Sequence, residues 1–167
     1  AEYGYATTAL KIENTSDLST GDWQNFVTVG VQLSEQERSA TSSLGPLGFH
    51  PEGTDRKIGV YAQGEFIWND RLTLIPGLRV DFGDRTPSAA TAAAGGTGVS
   101  DEAISPKFSA LYKIDDSWGV FGTLARTERM PTLDELYSTD GGRLPSLNLE
   151  KEEATSVEFG LTYRNEG

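Results

Sequence analysis

The sequence predicts an all-β chain, an antiparallel up-and-down transmembrane β-barrel of which these residues supply about seven strands. Apolar and polar residues alternate with period two along most of the chain. All three tryptophans, Trp23, Trp68 and Trp118, lie beside short polar turns, whereas the opposite segment ends open into long polar loops. Membrane barrels have this asymmetry, because aromatic rings with a polar group prefer the headgroup layer.

The first predicted hairpin pairs residues 2–12 with residues 23–34, across the polar stretch 13–22. Its second strand has an aliphatic row that we expect to face lipid. That row is Val27, Val29, Val31 and Leu33.

The second predicted hairpin is the clearest. It pairs residues 57–67 with residues 72–82 through a turn at Asn69 and Asp70. One face of each strand is apolar and the other is polar, as expected of a wall between lipid and water. The outward row includes Ile58, Val60, Ala62, Phe66, Leu72, Leu74, Leu78, Val80 and Phe82.

A third hairpin pairs residues 104–114 with residues 118–126, and a last strand spans residues 155–163. Pro76 and Pro106 interrupt the pattern, because proline donates no ladder hydrogen bond. We therefore expect a local bulge at each of these prolines.

Three long connections, predicted at residues 36–54, 84–102 and 128–147, alternate strictly with the short turns. Single-chain bacterial barrels have an even number of strands. About seven strands therefore predict that residues 1–167 form one partial barrel domain of a larger protein.

The predicted inner row is mixed in charge and suits a wet lumen. Strict alternation leaves Lys11 and Arg126 on a doubtful face, which predicts either strand ends above the apolar band or a register change at a bulge. The inner row is Tyr61, Gln63, Glu65, Arg79, Asp81, Lys107, Lys113, Glu158 and Arg164.

Composition excludes several functions. The net charge of -11 argues against nucleic-acid binding, which relies on clustered Lys and Arg. The absence of cysteine excludes disulfides and thiolate chemistry. No apolar run approaches the roughly 20 residues of a membrane helix.

Several segments resemble the barrels of TonB-dependent outer-membrane receptors. Residues 60–63 and 70–81 are similar to a pair of the family's strands. Residues 129–137 resemble its Arg-Ala-Pro and Glu-Leu-Tyr motifs, although Met130 replaces the alanine, Glu128 an aromatic residue and Lys151 a proline. The residues that carry the motifs are Arg129, Pro131, Glu135, Leu136, Tyr137, Asn148, Leu149, Glu152, Glu158 and Gly160.

The resemblance implies a barrel of about 22 strands filled by a plug, with plug and energy-coupling box preceding Ala1. It implies a receptor in the bacterial outer membrane that takes up an iron complex, a siderophore or haem, or a similar scarce nutrient. Its partners would be that ligand, TonB and outer-membrane lipid, and it would be no enzyme and need no cofactor. The alternatives are a passive outer-membrane channel or adhesin barrel, and a soluble β-sandwich binding domain.

Two residues are candidates for ligand binding. His50 is the only histidine, and imidazole is a common axial ligand of haem iron. A lone histidine in a loop is more often solvated, so we expect His50 to be exposed to solvent. Tyr137 could offer a phenolate, although its place in Glu-Leu-Tyr favours packing. We expect no catalytic residues and no metal site.

Overall fold

The computed structural model describes residues 2–43, 45 and 47–164. Its strands run in sequence order in one antiparallel sheet, joined by two five-residue helices and a short 3-10 turn. No helix in this described part of the chain is long and apolar enough to cross a bilayer. The elements are β1 (Glu2–Asp17), β2 (Trp23–Thr41), β3 (Gly53–Trp68), β4 (Leu72–Pro87), α1 (Ala89–Ala93), β5 (Val99–Lys113), β6 (Trp118–Arg129), α2 (Leu133–Tyr137) and β7 (Glu152–Tyr163).

The register puts aliphatic residues on one face. Ile12 pairs with Val31, Val31 with Val60, Val60 with Val80, and Val80 with Ile104. Directly paired residues share a face, so one aliphatic row crosses five strands. Four of these side chains are exposed and that of Val80 is half-buried, so they share no dry core.

The soluble sandwich alternative does not fit this arrangement. A sandwich would bury the aliphatic rows between two packed sheets. The described strands instead form a single sheet, with Val60, Leu78 and Phe159 exposed by 39%, 49% and 85%. The expectation of an outward apolar face is confirmed.

The tryptophans lie together at the short-turn end, as predicted. Trp23 pairs directly with Trp68, with ring centroids 6.3 Å apart, and the Trp118 ring lies 4.8 Å from that of Tyr163. The tight turn after Trp68 uses left-handed backbone at Asn69 and Asp70, the residue types that best tolerate positive φ after glycine.

The strands are longer than the sequence predicts. β2 reaches Thr41 and β4 reaches Pro87, so parts of the predicted loops 36–54 and 84–102 belong to the sheet. β1 likewise continues to Asp17. These extensions are polar on both faces, and alternation therefore gives no signal there. Strands of 16 to 19 residues exceed the roughly 9–11 that cross a bilayer.

The expected bulges at the prolines are wrong. At Pro76 the β3–β4 ladder skips two pairs and resumes with the same register. At Pro106 the β5–β6 ladder ends, and the backbone N–H of Ile104 donates to the Glu128 carboxylate at 2.9 Å. The sheet accommodates these prolines by a gap in one ladder and an early end of the other, and no extra residue is inserted.

The outward row generates a prediction for the full-length protein. We expect Val60→Arg to lower the free energy of unfolding by about 2–4 kcal/mol, because it would place a charge at mid-height on the lipid face. Urea unfolding of the folded barrel, followed by its heat-modifiable gel mobility, measures this effect.

Gln63→Arg is the matched control, since Gln63 lies on the same strand but on the opposite face. We expect it to change stability far less. Equal losses at positions 60 and 63 would contradict the assignment of the two faces.

Candidate functional site

The middle of the inner face contains a network of charged and aromatic side chains. The Arg79 guanidinium contacts both Asp81 carboxylate oxygens, at 2.6 to 3.0 Å, and lies 5.7 Å from the centre of the Tyr61 ring. The Tyr61 hydroxyl donates to Glu13 at 2.7 Å, and Glu13 also contacts Lys11 at 2.7 Å. Lys11, which alternation left doubtful, therefore faces inward.

Glycine makes room for this network. Gly30 pairs with Tyr61, and a Cβ atom on Gly30 would lie 2.3 Å from the Tyr61 hydroxyl oxygen. Any side chain there would displace the ring. The flat inner surface thus depends on glycine opposite the aromatic residue.

The outward face carries a charged cluster at the long-loop end of β6. Arg126 contacts Glu128 at 3.0 Å and Glu153 at 2.6 Å, and Lys151 contacts Glu128 at 2.8 Å. The register of β6 with β7 is continuous through these residues. Arg126 therefore lies on the outer face above the apolar rows, and no register change is involved.

Arg129 holds the third long connection (residues 130–151, loop 3) at both ends. Its guanidinium donates to both Glu135 carboxylate oxygens, at 3.0 and 2.8 Å, and to Glu152 at 2.9 Å. Glu135 belongs to α2, and Glu152 begins β7. Bidentate networks of this kind contribute more than an isolated surface ion pair. We name Arg129, Glu135 and Glu152 the latch.

Glu135 also helps to cap the N-terminus of α2. Its carboxylate accepts the backbone N–H of Thr132 at 2.8 Å while the Thr132 hydroxyl caps the helix, which completes a capping box. The Arg129 guanidinium, followed by the Thr132 N–H, lowers the pKa of Glu135 to about 2. This carboxylate is therefore ionised at neutral pH.

The underside of α2 forms the only buried apolar cluster in the described residues. Leu133 and Leu136 are almost fully buried, and Tyr137 is 1% exposed. The Tyr137 hydroxyl lies 2.6 Å from the Thr97 carbonyl and 3.2 Å from the Arg85 carbonyl. Burial raises its pKa. Tyr137 is therefore a packing residue of α2. Iron ligation by its hydroxyl would require both of these hydrogen bonds to break.

Arg85 lies beneath the same helix. Its guanidinium contacts Asp101 at 2.5 Å and the Met130 sulfur at 3.4 Å, and its side chain is fully buried. Pro131, which follows Met130 in the chain, is also buried. Met130, which departs from the family motif, thus packs against a buried cation.

A second cluster joins β1, β2, the connection 42–52 (loop 1) and α2. Arg38 contacts Asp134 at 2.7 Å, the Tyr5 hydroxyl at 3.3 Å and His50 Nδ1 at 3.1 Å. Arg38 and His50 are 6% and 5% exposed. One guanidinium therefore connects two strands with two loops.

The expectation that His50 is solvated is wrong. Loop 1 folds back onto the inner face, where the Gly48 carbonyl accepts the N–H of Thr139 at 2.9 Å. The His50 ring lies 5.1 Å from the Tyr3 ring and 5.1 Å from the Tyr5 ring. A histidine surrounded by aromatic rings and an arginine is buried although its segment is a loop.

The hydrogen bonds of His50 assign its tautomer. Arginine can only donate, so His50 Nδ1 must accept, and Nε2 carries the proton of the neutral ring. Nε2 is buried and has no partner among the described residues. Iron ligation by His50 stays a prediction, and it would require the other tautomer or the loss of the Arg38 contact.

The remaining motif residues lie apart from these clusters. Asn148 and Leu149 are exposed in loop 3, and Glu158 is exposed on the inner face of β7. Gly160 pairs with Phe121, whose ring would lie 2.6 Å from a Cβ atom at that position. Gly160 therefore accommodates an aromatic ring, as Gly30 does.

Sequence reasoning missed the partners of these clusters. Arg38 and Arg85 fall in segments that the sequence predicts as loop, and Tyr5 and Asp134 lie far from Arg38 in the chain. The only sequence feature that could have indicated these clusters is an arginine near the end of a predicted strand. No group of three potential metal ligands occurs among residues 2–43, 45 and 47–164.

Comparison with known proteins gives a family and a set of similar structures, of which two are described here. The sequence profile of the family described as "TonB dependent receptor-like, beta-barrel" matches residues 2–167. Among curated proteins, no sequence matches the chain.

The two structures support the fold. One is described as the copper transporter OprC, with a TM-score of 0.70, 18% identity, and coverage of 98% of this chain and 28% of that one. The other is a double mutant of the Serratia marcescens hemophore receptor HasR with its hemophore HasA and heme, with a TM-score of 0.79, 16% identity, and coverage of 95% and 30%. The chain thus spans under a third of either protein.

The latch generates a prediction about loop 3. We expect Arg129→Lys to speed hydrogen exchange at the amides of Leu136 and Ser138, whose bonds to Thr132 and Asp134 define α2. Lysine keeps the charge but cannot bridge two carboxylates in bidentate geometry. Exchange mass spectrometry of the full-length protein measures the effect.

Arg143→Lys, at an exposed arginine of the same loop, is the control and should change nothing. Unaltered exchange at both α2 amides in Arg129→Lys would show that the latch does not hold the helix.

The pKa of Glu135 generates a pH prediction. A carboxyl whose pKa falls on folding from 4.5 to about 2 stabilises the docked loop above pH 4.5, and that contribution is lost as pH falls towards 2. We expect α2 to keep its protection from exchange at neutral pH and to lose it between these two values. In Glu135→Gln the protection should be lower throughout and no longer vary over this window. A window unchanged by the substitution would assign the loss to another group.

Proposed function

The chain belongs to the family of TonB-dependent receptor β-barrels, and from this premise we propose its function. It forms part of the barrel wall of a bacterial outer-membrane receptor that takes up an iron complex, a siderophore or haem, or a similar scarce nutrient. The remainder of the receptor supplies the plug and the contact with TonB. The wall itself performs no chemistry.

The observation that carries this proposal is the division of one sheet into two unlike faces. The outward face has exposed aliphatic rows from β1 to β5 and aromatic residues at the short-turn end, which suits acyl chains and headgroups. The inner face has a charged network of Arg79, Asp81, Tyr61 and Glu13, which suits water and a polar plug. Lipid is therefore the partner of the first face.

The long-loop end supports a receptor role. Loops 1 and 3 fold over the inner face and are fixed there by Arg38 and by the latch. Binding residues concentrate on loops that a rigid scaffold positions. A ligand arriving from outside would meet this end first.

The neighbours support nutrient uptake without selecting the nutrient. One is a copper transporter, and the other is a hemophore receptor in complex with its hemophore and heme. At identities below a fifth their ligands do not transfer to this chain. The iron complex therefore rests on the family resemblance of residues 129–137 and 148–160.

The proposal predicts energy-dependent uptake by the full-length receptor. We expect cells that express it under iron limitation to accumulate radioactive iron from a ferric siderophore or from haem, and to lose this uptake when TonB is deleted. Empty-vector cells are the control.

Uptake that persists without TonB would support a passive channel instead. Surface binding with no uptake of any iron complex would support an adhesin, and copper-only uptake would overturn the iron assignment while leaving the receptor role intact.

A further inference from the structure

Met130 is the only methionine of the chain, and its sulfur lies against a buried cation. Arg85 Nη1 donates to the sulfur at 3.4 Å, and Met130 is 6% exposed. The side chain covers Gly83, where a Cβ atom would lie 2.8 Å from the sulfur and 3.0 Å from the terminal methyl carbon. Glycine therefore leaves the room that the thioether occupies. The motif that residues 129–137 resemble has alanine at this position, so the contact belongs to this chain and not to the motif.

The donors of Arg85 are incompletely used at this contact. Nη2 donates to the Asp101 carboxylate at 2.5 Å, whereas Nη1 meets a thioether, which is a weak acceptor. Nε is buried and has no partner among the described residues, and the whole side chain is fully buried. A stronger acceptor beside the Met130 sulfur would therefore satisfy a charged group that the thioether satisfies only in part.

Oxidation would convert the Met130 sulfur into such an acceptor. Methionine sulfoxide has a polar S–O bond, and it disrupts apolar cores because its oxygen finds no donor there. The surroundings of Met130 are different. The polar group nearest to its sulfur is a guanidinium with one N–H that is weakly bonded and another that is unpaired within the described part of the chain.

We propose that Met130 is a site of oxidation by peroxide and that the sulfoxide holds loop 3 more firmly against β4. The sulfur attacks one oxygen of hydrogen peroxide, the O–O bond breaks and the S–O bond forms. The proton of the transferred oxygen passes to the departing hydroxide, which leaves as water. The thioether is oxidised and the peroxide is reduced. The new oxygen accepts hydrogen bonds from Arg85 Nη1 and Nε.

The latch controls access of peroxide to the sulfur. Met130 directly follows Arg129, which joins the end of β6 to α2 and β7. While these bonds hold, Met130 is nearly buried, and the reaction is slow because peroxide must reach the sulfur. Movement of loop 3 away from the sheet exposes the thioether. The sulfoxide then favours the return of the loop to its docked position over Arg85.

The test treats the purified full-length protein with hydrogen peroxide and follows the peptide that contains Met130 by mass spectrometry, where a sulfoxide adds one oxygen atom. We expect this peptide to be oxidised. Hydrogen exchange at the amides of Leu136 and Ser138 should then slow by about tenfold, the effect of one added hydrogen bond to a charged group. Met130→Leu is the matched control, since leucine has a similar volume and does not react. Peroxide should leave exchange in this variant unchanged.

Three further variants test the steps separately. In Arg129→Lys, the weakened latch should speed the oxidation of Met130. In Arg85→Lys, the positive charge remains but the fixed fork of N–H groups is lost, so oxidation should no longer slow exchange at α2. Met130→Gln carries an amide oxygen in place of the sulfoxide oxygen, and we expect it to slow the same exchange without peroxide.

Three results would overturn the proposal. The first is a Met130 that stays unoxidised in both the unaltered protein and Arg129→Lys. The second is exchange at Leu136 and Ser138 that is unchanged or faster after oxidation. The third is an equal slowing by peroxide in Met130→Leu or in Arg85→Lys. None of these results bears on the proposed transport function, which TonB-dependent uptake by the Met130→Leu receptor tests independently.

Discussion

The register between neighbouring strands determines every other property of this chain. Because side chains alternate with period two, a slip of one residue would exchange the two faces. The row from Ile12 through Val31, Val60 and Val80 to Ile104 would then face water, and Arg79 with Asp81 would face lipid. Burial of charge in lipid is costly enough to exclude that arrangement. The proline positions respect the constraint, since the ladder is interrupted at Pro76 without any change of register.

The loops that fold onto the polar inner face must also be held in place. Loop 3 buries few apolar side chains, chiefly those of α2 and Met130, so packing alone gives little stability. Hydrogen bonds between charged groups add to the stability of the docked loop. Arg129 joins the helix to β7, and Arg38 joins it to loop 1 and β1. The family motif at Arg129, Glu135 and Tyr137 therefore has a structural explanation, which is the docking of one loop.

The sequence predicts the fold wherever residues alternate between apolar and polar. The sequence correctly predicts the strand order, the two faces of the sheet, the end at which the tryptophans lie and the motif segments. The sequence does not predict the strand ends near Thr41 and Pro87, because polar residues occupy both faces there and no pattern distinguishes strand from loop. It also misplaces His50. The contacts that bury this ring come from Arg38, 12 positions away, and from Tyr5, 45 positions away, and only the sheet brings them together.

The two clusters at the long-loop end differ in how fully their polar groups are paired. In the latch, Arg129 donates to two carboxylates and Glu135 accepts from Arg129 and Thr132, so another molecule would have to break existing bonds to bind there. Around Arg38 and His50, two buried donors have no acceptor in the part of the chain that the structure describes, next to exposed aromatic rings. Native proteins leave few buried polar groups unpaired, because each one costs stability. Of the two clusters, the latch is therefore the more fully paired, and its charged hydrogen bonds join α2 to β7.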